Sequence, residues 1–459
     1  MPTADRTMRR FLSTTTGAAS VSHYLSASSR ARQPSPIRAL QPLTSLPGMI
    51  SLGSGMPSPL TFPIADINIT MTGGENISLG RDLAAEALQY SATEGLPRLR
   101  TWILELQRRE HGASADLMAV CVGTGSQSVL HLALDALLEC GDTLLADAYA
   151  YPGALESVRP MGVHVTGVAM DGDGMLPEAL EEALSSAARG GGQRRPKVLY
   201  TVPTGHNPCG CTMSNARRTR IYELCQAYGL VILEDDPYWF LHMDDVAATA
   251  AGDSGGIIGS ARAGAAAHGG EELRSFLALD VESGDGRVLR FDSLSKVLSS
   301  GLRIGWATGS HAFIERLALH QQVASLHPSG LSQAVAASVL EHWDATGGWD
   351  AHVAHVQAFY GARRDAMHAS ATRHLSGLAQ WKAPTAGMFF WLDLSLSGVT
   401  DTQRLVHEQC RDAKVLLVPG ASFAVDREAP STFCRAAFSM ADEQAIDEGM
   451  RRLAAVLRA

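Results

Sequence analysis

The chain contains the run Asp292-Ser293-Leu294-Ser295-Lys296-Val297, followed closely by Gly301-Leu302-Arg303-Ile304-Gly305. The residues just before it, Arg287 to Phe291, have the apolar character of a short buried strand. Lys296 therefore follows a predicted strand. It has apolar residues on one side, two hydroxyls just upstream and an arginine seven residues downstream. Burial and a neighbouring cation both lower the pKa of a lysine, and the neutral amine is a nucleophile.

The groups around this lysine are suited to a phosphate. Hydroxyls such as those of Ser293 and Ser295 bind phosphate oxygens, and the guanidinium of Arg303 binds them with two parallel hydrogen bonds. A nucleophilic lysine beside a phosphate site is what pyridoxal phosphate (PLP) requires. The alternative is a surface lysine that merely follows a strand, and the spacing alone does not separate the two interpretations.

The composition excludes several classes of protein. The 459 residues carry a formal net charge of -9, with 46% hydrophobic and 19% charged residues, which argues against nucleic acid as the main partner. No apolar run approaches the length that spans a membrane, which predicts a soluble protein. The seven cysteines are odd in number and scattered, as in a reducing compartment. Cys209-Gly210-Cys211 has no second ligand pair at zinc spacing, so we expect no metal site.

Residues 1–23 differ from the rest of the chain. They carry Arg6, Arg9 and Arg10, are rich in Ser, Thr and Ala, hold one acid and lack the apolar core of a secretory signal. Two interpretations remain open: a mitochondrial or plastid presequence, or an unremarkable extension. The predicted localisation is therefore cytoplasmic or mitochondrial.

Strand-length apolar runs alternate with amphipathic helical runs between about residues 81 and 310. The predicted strands are 118–122, 143–146, 164–169, 198–202, 230–233 and 287–291. The predicted helices include 126–138, a helix that begins at Pro177, and a helix that Ser214 caps and Gly229 ends. This alternation predicts an α/β fold with a doubly wound, mostly parallel sheet that has helices on both faces.

The same pattern predicts four segments. They are an amino-terminal extension over 1–23, an arm that contributes to a small domain over 24–80, a large cofactor-binding domain over 81–330, and a small α+β domain over 331–459. The last helix is predicted from the apolar stripe of Ile446, Met450, Leu453 and Leu457. Within the large domain, the Gly/Ala-rich residues 244–270 have little side chain to bury and predict a flexible surface insertion.

Polar residues follow four of the predicted strands, at the edge where open parallel sheets bind ligands. Gly123-Thr124-Gly125-Ser126-Gln127 follows the first and opens a helix, whose amino terminus favours an anion. Its glycine spacing is not that of a dinucleotide site, because Ser128 occupies the third glycine position. Ser293, Ser295 and Lys296 follow the last of the four.

Two further strand ends carry amide, acid and phenol groups. Pro203 to Gly210 follows 198–202 and includes Asn207, which could donate to a phenolate oxygen; an ordinary turn explains the same Pro and Gly content. Glu234-Asp235-Asp236-Pro237-Tyr238 follows 230–233. A carboxylate buried there must be paired, and the protonated ring nitrogen of PLP would pair with it; a capping role for the acid is the alternative. Tyr238 could hydrogen-bond the phenolate oxygen.

Several runs together resemble the class I aminotransferases of PLP fold type I. They are Tyr200 to Pro208, Glu234 to Tyr238, Ser293 to Lys296 and Gly301 to Gly305. The flanking runs look like the kynurenine/2-aminoadipate aminotransferase group, and they are Pro34 to Arg38, Ile50 to Pro57, Leu88 to Ser91, Ser325 to Ser329 and Ala386 to Phe389. The resemblance covers about residues 24–458, apart from the Gly/Ala-rich insertion.

The resemblance implies a role for each matching residue. Lys296 is the catalytic Schiff-base lysine, and Asp235 pairs with the ring nitrogen. The remaining cofactor-binding residues are implied to be Ser126, Gln127, Tyr151, Asn207, Tyr238, Ser293, Ser295 and Arg303. The substrate-binding residues are implied to be Arg38, Gly55, Tyr90, Asn207 and Arg435. Arg435 holds the α-carboxylate, and the arm residues Arg38, Gly55 and Tyr90 line the side-chain pocket.

One position departs from the family pattern. Family members often carry an acid-proline pair before the tyrosine that stacks on the cofactor ring. This chain has Asp147-Ala148-Tyr149-Ala150-Tyr151-Pro152, so Tyr151 stays in register but Tyr149 stands where proline is usual.

The implied activity is transamination of an amino acid, such as 2-aminoadipate, kynurenine or an aromatic or large aliphatic one, with 2-oxoglutarate. The partners are these small molecules and a second copy of the chain, because the family is dimeric. A carbon-sulfur lyase on the same scaffold is the nearer alternative. A PLP-binding transcription regulator is the other, but it needs a DNA-binding module of some 60 residues, and only about 23 residues precede the resemblance.

Overall fold

The computed structural model describes residues 21–39, 43, 46–50, 52–53, 55–189, 194–243, 267–268 and 271–459. Most of the predicted extension over 1–23, and the Gly/Ala-rich insertion over 244–270 apart from two residues, lie outside the described residues. The chain forms two compact units, one from Met1–Glu139 with Phe291–Trp349 and one from Cys140–Arg290 with Asp350–Ala459. The domain boundaries expected from the sequence, near residues 81 and 331, stay a prediction.

The elements of both units follow in chain order. The helices are α1 Ala27–Ala31, α2 Pro36–Ala39, α3 Gly80–Leu88, α4 Pro97–His111, α5 Ser126–Leu137, α6 Pro152–Val158, α7 Pro177–Ala188, α8 Asn215–Tyr228, α9 Phe276–Ser283, α10 His311–Ala324, α11 Gly330–Thr346, α12 Gly348–Leu375, α13 Thr402–Leu405 and α14 Glu443–Arg458. The strands are β1 Asn68–Thr70, β2 Asn76–Ser78, β3 Met118–Thr124, β4 Thr143–Asp147, β5 His164–Val168, β6 Met170–Asp171, β7 Gly174–Met175, β8 Val198–Thr201, β9 Val231–Asp235, β10 Ala267–His268, β11 Glu271–Glu272, β12 Val288–Ser293, β13 Ile304–Ser310, β14 Phe389–Asp393, β15 Val418–Pro419 and β16 Phe433–Ala437.

The first unit pairs β3 with β13 in antiparallel register, from Ile304 opposite Thr124 to Ser310 opposite Met118. Apolar residues of β3, α5 and α10 are buried, which places the core of this unit between the strand pair and its helices. The sequence analysis predicted β3 and α5 but did not single out β13. Its run Ile304-Gly305-Trp306-Ala307 has two small residues, which weakens the strand signal.

The second unit contains four parallel strands in the order β9-β8-β4-β5. Every residue of β4, β8 and β9 is buried, as expected for strands covered on both faces. The side chain of Ser214 accepts from the Arg217 N–H at the start of α8, and Gly229 ends the helix with φ +72°. The predicted cap and stop of this helix are therefore confirmed.

The second unit also contains a three-stranded antiparallel sheet in the order β14-β16-β15. One of its faces buries Phe390, Leu392, Cys434 and Ala436 in a core that includes Met450. The opposite face carries Phe389, Trp391, Phe433 and Arg435, because successive strand residues point to opposite sides. Three residues of the stripe predicted for the last helix, Ile446, Met450 and Leu453, are buried, and Leu457 packs against the same core partly buried.

Within the described part of the chain, we find no helix with the length and apolarity to cross a membrane.

Candidate active site

Asp235 ends β9 and lies between two other acids. Glu234 and Asp236 both pair with Arg290, whose Nη1 is 3.1 Å from Glu234 Oε1 and 3.0 Å from Asp236 Oδ2, and all three side chains are fully buried. Asp235 instead accepts a hydrogen bond from the Tyr200 hydroxyl at 2.8 Å. The alternation along the strand thus separates Asp235 from the ion-paired acids on either side of it.

Tyr200 is a buried phenol that stays protonated. Burial is the main reason why its pKa is raised well above the ordinary value, and the charge of Asp235 raises it further. The hydroxyl therefore donates to Asp235 and keeps the carboxylate in one orientation. The sequence analysis named Tyr200 only as part of a run that resembles the family. Its hydrogen bond to Asp235 joins two neighbouring strands, and the sequence does not show which residues of two strands meet.

The loop after β8 is fixed by a polar network on its buried side. Thr204 donates its hydroxyl to Asp236 at 3.0 Å, and Arg218 donates to the Thr204 hydroxyl and to the Pro203 carbonyl, each at 3.0 Å. A Cβ at Gly205 would lie 2.7 Å from the Gly387 nitrogen, so the loop packs backbone against backbone there. This loop presents Asn207.

Arg435, on β16, is the guanidinium that contacts Asn207. Its Nη1 donates to Asn207 Oδ1 at 2.7 Å, and its Cζ lies 4.3 Å from the ring centre of Phe389 and 4.9 Å from that of Phe423. Its Nε is buried and has no hydrogen-bond partner among the described residues, and none of the described carboxylates forms an ion pair with it. Burial lowers the pKa of Arg435, because its positive charge is partly removed from water.

Two tyrosines complete this part of the second unit. Tyr238 is buried and lies edge-on to Phe389, with ring centres 5.8 Å apart. Burial raises the pKa of Tyr238, and Asp235 raises it further, so its hydroxyl is a donor at neutral pH. Tyr151 precedes Pro152 at the start of α6 and is close enough to raise the pKa values of Tyr200 and Tyr238.

The first unit contains a site suited to an anion. Gly125, with φ +76°, precedes α5, and a Cβ there would lie 2.2 Å from the guanidinium of Arg303. Arg303 donates to the Ser295 hydroxyl at 3.2 Å, and the Ser293 hydroxyl accepts from the Ser295 N–H at 3.1 Å. Ser126 and Gln127 form the first turn of α5, so a helix amino terminus and a guanidinium come together.

Lys296 lies half-buried in the turn that follows β12, between buried Leu294 and Val297.

The predicted residues of the arm are more exposed where the structure describes their side chains. Gly55 is exposed, Tyr90 is 51% exposed and lies edge-on to His327, and Arg38 belongs to α2 with its side chain outside the described part of the chain.

The structure thus groups the predicted residues within each unit. In the second unit, a hydrogen bond and electrostatic interactions connect five of the predicted residues, which are Tyr151, Asn207, Asp235, Tyr238 and Arg435. In the first unit, Ser126, Ser295 and Arg303 lie together, while among the described residues neither Gly55 nor Tyr90 forms a hydrogen bond or ring contact with them. Phe389, Phe423 and Tyr200 were missed as site residues, because aromatic and phenol groups are common in cores and give no signal of their own.

Comparison with known proteins agrees with this fold. The model of the family "Aminotransferase class I and II" matches residues 52–453. The rat protein named kynurenine/alpha-aminoadipate aminotransferase, mitochondrial, is 37% identical over 450 residues, which cover 95% of this chain and 99% of the relative.

Solved structures agree as well. Aminotransferase Aro8 from Candida albicans has a TM-score of 0.81 at 29% identity, covering 95% of this chain and 98% of that one. Pyrococcus horikoshii kynurenine aminotransferase, solved in complex with PMP and with KYN as substrates and KYA as products, has a TM-score of 0.71 at 29% identity and covers 95% and 98% of the two chains.

The fold is therefore the α/β fold of the fold-type-I PLP enzymes. Within that class, the chain belongs to the class I and II aminotransferases. It is a PLP-dependent enzyme that catalyses transamination, as the sequence analysis predicted.

Proposed function

We propose that the enzyme transfers the amino group of 2-aminoadipate, kynurenine or another aromatic or large aliphatic amino acid to 2-oxoglutarate. The names of the rat relative and of the Pyrococcus structure support this substrate class. The observation that carries the proposal is Arg435, a partly buried guanidinium whose buried Nε has no hydrogen-bond partner and which has no carboxylate partner among the described residues. Such a group is suited to the α-carboxylate that every donor and acceptor shares. Because both half-reactions use one site, we expect ping-pong kinetics.

The residues present fit pyridoxal phosphate. Ser126, Gln127, Ser293, Ser295 and Arg303 would hold the phosphate, Asp235 the ring nitrogen, and Tyr151 one face of the ring. When bound, the cofactor supplies an electron sink for the charge that develops at the substrate Cα. The fit rests on the helix start at Gly125, where a side chain would collide with Arg303, and on the buried Asp235 held by Tyr200.

The orientation of the Asn207 amide follows from its partner. An arginine only donates, so the amide oxygen must face Arg435, and the two amide N–H groups remain for another acceptor. Asn207 would therefore donate to the phenolate oxygen of the cofactor, together with the protonated Tyr238. Arg435 would orient the substrate carboxylate, and Lys296 would move the proton at the substrate Cα.

The arm residues are proposed to determine the donor. Arg38 would meet the distal carboxylate of 2-aminoadipate or 2-oxoglutarate, and Gly55 and Tyr90 would line the side-chain pocket. An aromatic donor would require Arg38 to turn away. This division of tasks between Arg435 and Arg38 makes the substrate class testable.

A single-turnover donor half-reaction tests the proposal, because it keeps 2-oxoglutarate out of the comparison. Wild-type enzyme should react with 2-aminoadipate, kynurenine and leucine, and Lys296→Ala should react with none and lose the visible absorption band of a lysine-linked cofactor. Arg435→Lys should slow all donors alike, by about 10²-fold. Arg38→Ala should weaken 2-aminoadipate use about tenfold more than leucine use, by loss of one charge-assisted contact. Equal losses for both donors in Arg38→Ala would show that Arg38 is structural.

We also propose a homodimer. The arm exposes large apolar side chains that a monomer would leave in water, and they are Ile37, Leu46, Ile50, Leu52 and Leu60. A second copy of the chain would cover them. The localisation is proposed to be cytoplasmic or mitochondrial, and the word mitochondrial in the name of the rat relative and the arginine-rich first 23 residues support the latter.

A further inference from the structure

The loop that carries Tyr151 is bound to a distant segment of the second unit. The Ala150 N–H donates to the Phe423 carbonyl at 2.9 Å, and the Val425 N–H donates to the Ala148 carbonyl at 3.0 Å. Tyr149 forms an isolated antiparallel bridge with Ala424 between these two bonds. The backbone between Ala148 and Ala150 is therefore paired as in a short strand.

The Tyr149 side chain packs on the face of the three-stranded sheet that carries Arg435. Its ring lies edge-on to Trp391 at 5.2 Å and to Phe433 at 5.7 Å between ring centres. Trp391 and Phe433 are stacked on each other at 5.3 Å with nearly parallel planes. Trp391 is directly opposite Arg435 in the register of β14 and β16. The Tyr149 ring therefore packs on the residue that is paired with Arg435.

The Tyr149 hydroxyl is anchored on the segment just before β16. It lies 3.1 Å from the Ser431 hydroxyl, which also accepts the Phe433 N–H at 3.3 Å. Ser431 is only 2% exposed, and its carbonyl accepts from both the N–H and the hydroxyl of Thr402, so the anchor point is itself fixed. Tyr149 therefore joins the loop before Tyr151 to the segment that leads into Arg435.

We propose that Tyr149 is a positioning residue for transamination. It docks the loop that carries Tyr151 onto the aromatic face that carries Arg435, and so sets the distance between the ring-stacking residue and the carboxylate clamp. The inference rests on the proposed roles of Tyr151 and Arg435. A proline, which is usual at this position in the family, would fix the backbone of the loop but would offer neither the ring contact nor the hydroxyl.

Four variants test this inference: Tyr149→Ala, Tyr149→Phe, Arg435→Gln and the control Tyr228→Ala. Tyr228 is a 39% exposed tyrosine of the same unit whose hydroxyl bonds Ser185, away from these contacts. The probe is 3-phenylpropionate, which has a carboxylate and an aromatic ring but no amino group. Its dissociation constant is measured on the apoenzyme by calorimetry and on the holoenzyme by inhibition.

Tyr149→Ala should raise both dissociation constants about tenfold, because Arg435 would be held less firmly for the carboxylate; the energy of the two lost aromatic contacts sets the upper bound of this effect. Tyr149→Phe keeps the ring and should restore most of the affinity. Amide hydrogen exchange at Ala150 and Val425 should quicken in Tyr149→Ala, remain slow in Tyr149→Phe and be unchanged in Tyr228→Ala. Such a graded response, at a thermal stability close to that of Tyr228→Ala, is what a positioning role requires.

The Arg435→Gln variant separates the two ways in which the inference can fail. If Arg435→Gln binds 3-phenylpropionate as tightly as wild type, the proposed role of Arg435 is wrong and the inference loses its basis. If Arg435→Gln loses binding while Tyr149→Ala binds like Tyr228→Ala, the site stands and the positioning role of Tyr149 is wrong. Unchanged exchange at Ala150 and Val425 in Tyr149→Ala would contradict the docking itself.

Discussion

At the scale of single residues, the end of β9 shows how a strand distributes three consecutive acids. Glu234 and Asp236 face Arg290, where their charges are compensated inside the protein. Asp235 faces the other way and takes a hydrogen bond from Tyr200. A buried charge without a partner is strongly unfavourable, and each of these three acids accordingly has a hydrogen-bond or ion-pair partner. The sequence analysis assigned the ring nitrogen to Asp235 through the family resemblance.

This arrangement predicts opposite consequences for two neighbouring substitutions. Asp236→Asn removes a charge from the Arg290 pairs and should lower the free energy of unfolding by about 3 kcal/mol, the usual cost of breaking a buried ion pair. Asp235→Asn should leave stability near wild type but lower kcat/KM by about 10²- to 10³-fold, because the ring nitrogen would lose its proposed partner. Denaturant unfolding of the apoenzyme and steady-state kinetics measure the two effects. Reversal of the two patterns would assign the ring nitrogen to Asp236.

At the scale of elements, the short helix α1 is held by a chain of hydrogen bonds through a buried histidine. His320 Nδ1 lies 2.8 Å from Asp135 Oδ2, and His320 Nε2 lies 2.9 Å from the Ser29 hydroxyl. The order Ser-His-Asp resembles that of a hydrolase, but Ser29 is fully buried and sits inside α1, so no substrate can reach it. The arrangement docks the helix against α5 and α10.

The docking of α1 predicts a pH dependence of stability. Burial, helped by Arg32, lowers the pKa of His320 below its ordinary 6.5 more than Asp135 raises it. Below about pH 6.5 the unfolded chain therefore binds a proton that the folded chain resists, and the free energy of unfolding falls as the pH falls. Between pH 7.5 and 5.5 the wild-type melting temperature should drop more than that of His320→Gln.

The control for this prediction is His164→Gln, which changes an exposed histidine of β5. It should keep the wild-type slope of melting temperature against pH. Amide exchange in Ala27–Ala31 should also quicken in His320→Gln, because the helix loses its anchor. Parallel slopes for wild type and His320→Gln would mean that His320 does not carry the pH dependence.

At the scale of the whole molecule, the sequence predicted best what depends on local pattern. The apolar runs of β4, β8 and β9, the Ser214 cap and the Gly229 stop each act on their own neighbours in the chain, and each is found within two residues of its expected place; β9 continues through Glu234 and Asp235, which were expected to follow it. The contacts of Tyr200, Tyr149 and Arg290 join residues that are 35 to 282 positions apart. Such contacts depend on how strands pair, which no local pattern specifies.

The exposed arm gives a prediction about assembly. If a second copy covers it, replacing Leu52 and Leu60, each 96% exposed, by serine should shift the enzyme toward monomer at micromolar concentration. Sedimentation equilibrium measures the shift. The matched control is Leu416→Ser, which changes a leucine of the other unit that is 86% exposed. A monomeric wild type, or equal effects of arm and control substitutions, would contradict the proposed dimer.

The exposed arm also has a consequence for how the substrate range of such an enzyme can change over generations. A side chain that touches little can be exchanged with little loss of stability, whereas Arg290 or Tyr200 cannot. Variation at exposed arm positions outside the proposed dimer contacts, such as Met56 and Ile64, should therefore be tolerated more readily than variation at the ends of β8 and β9. A mutagenesis library confined to such arm positions would search for new amino donors and leave the folded scaffold almost untouched.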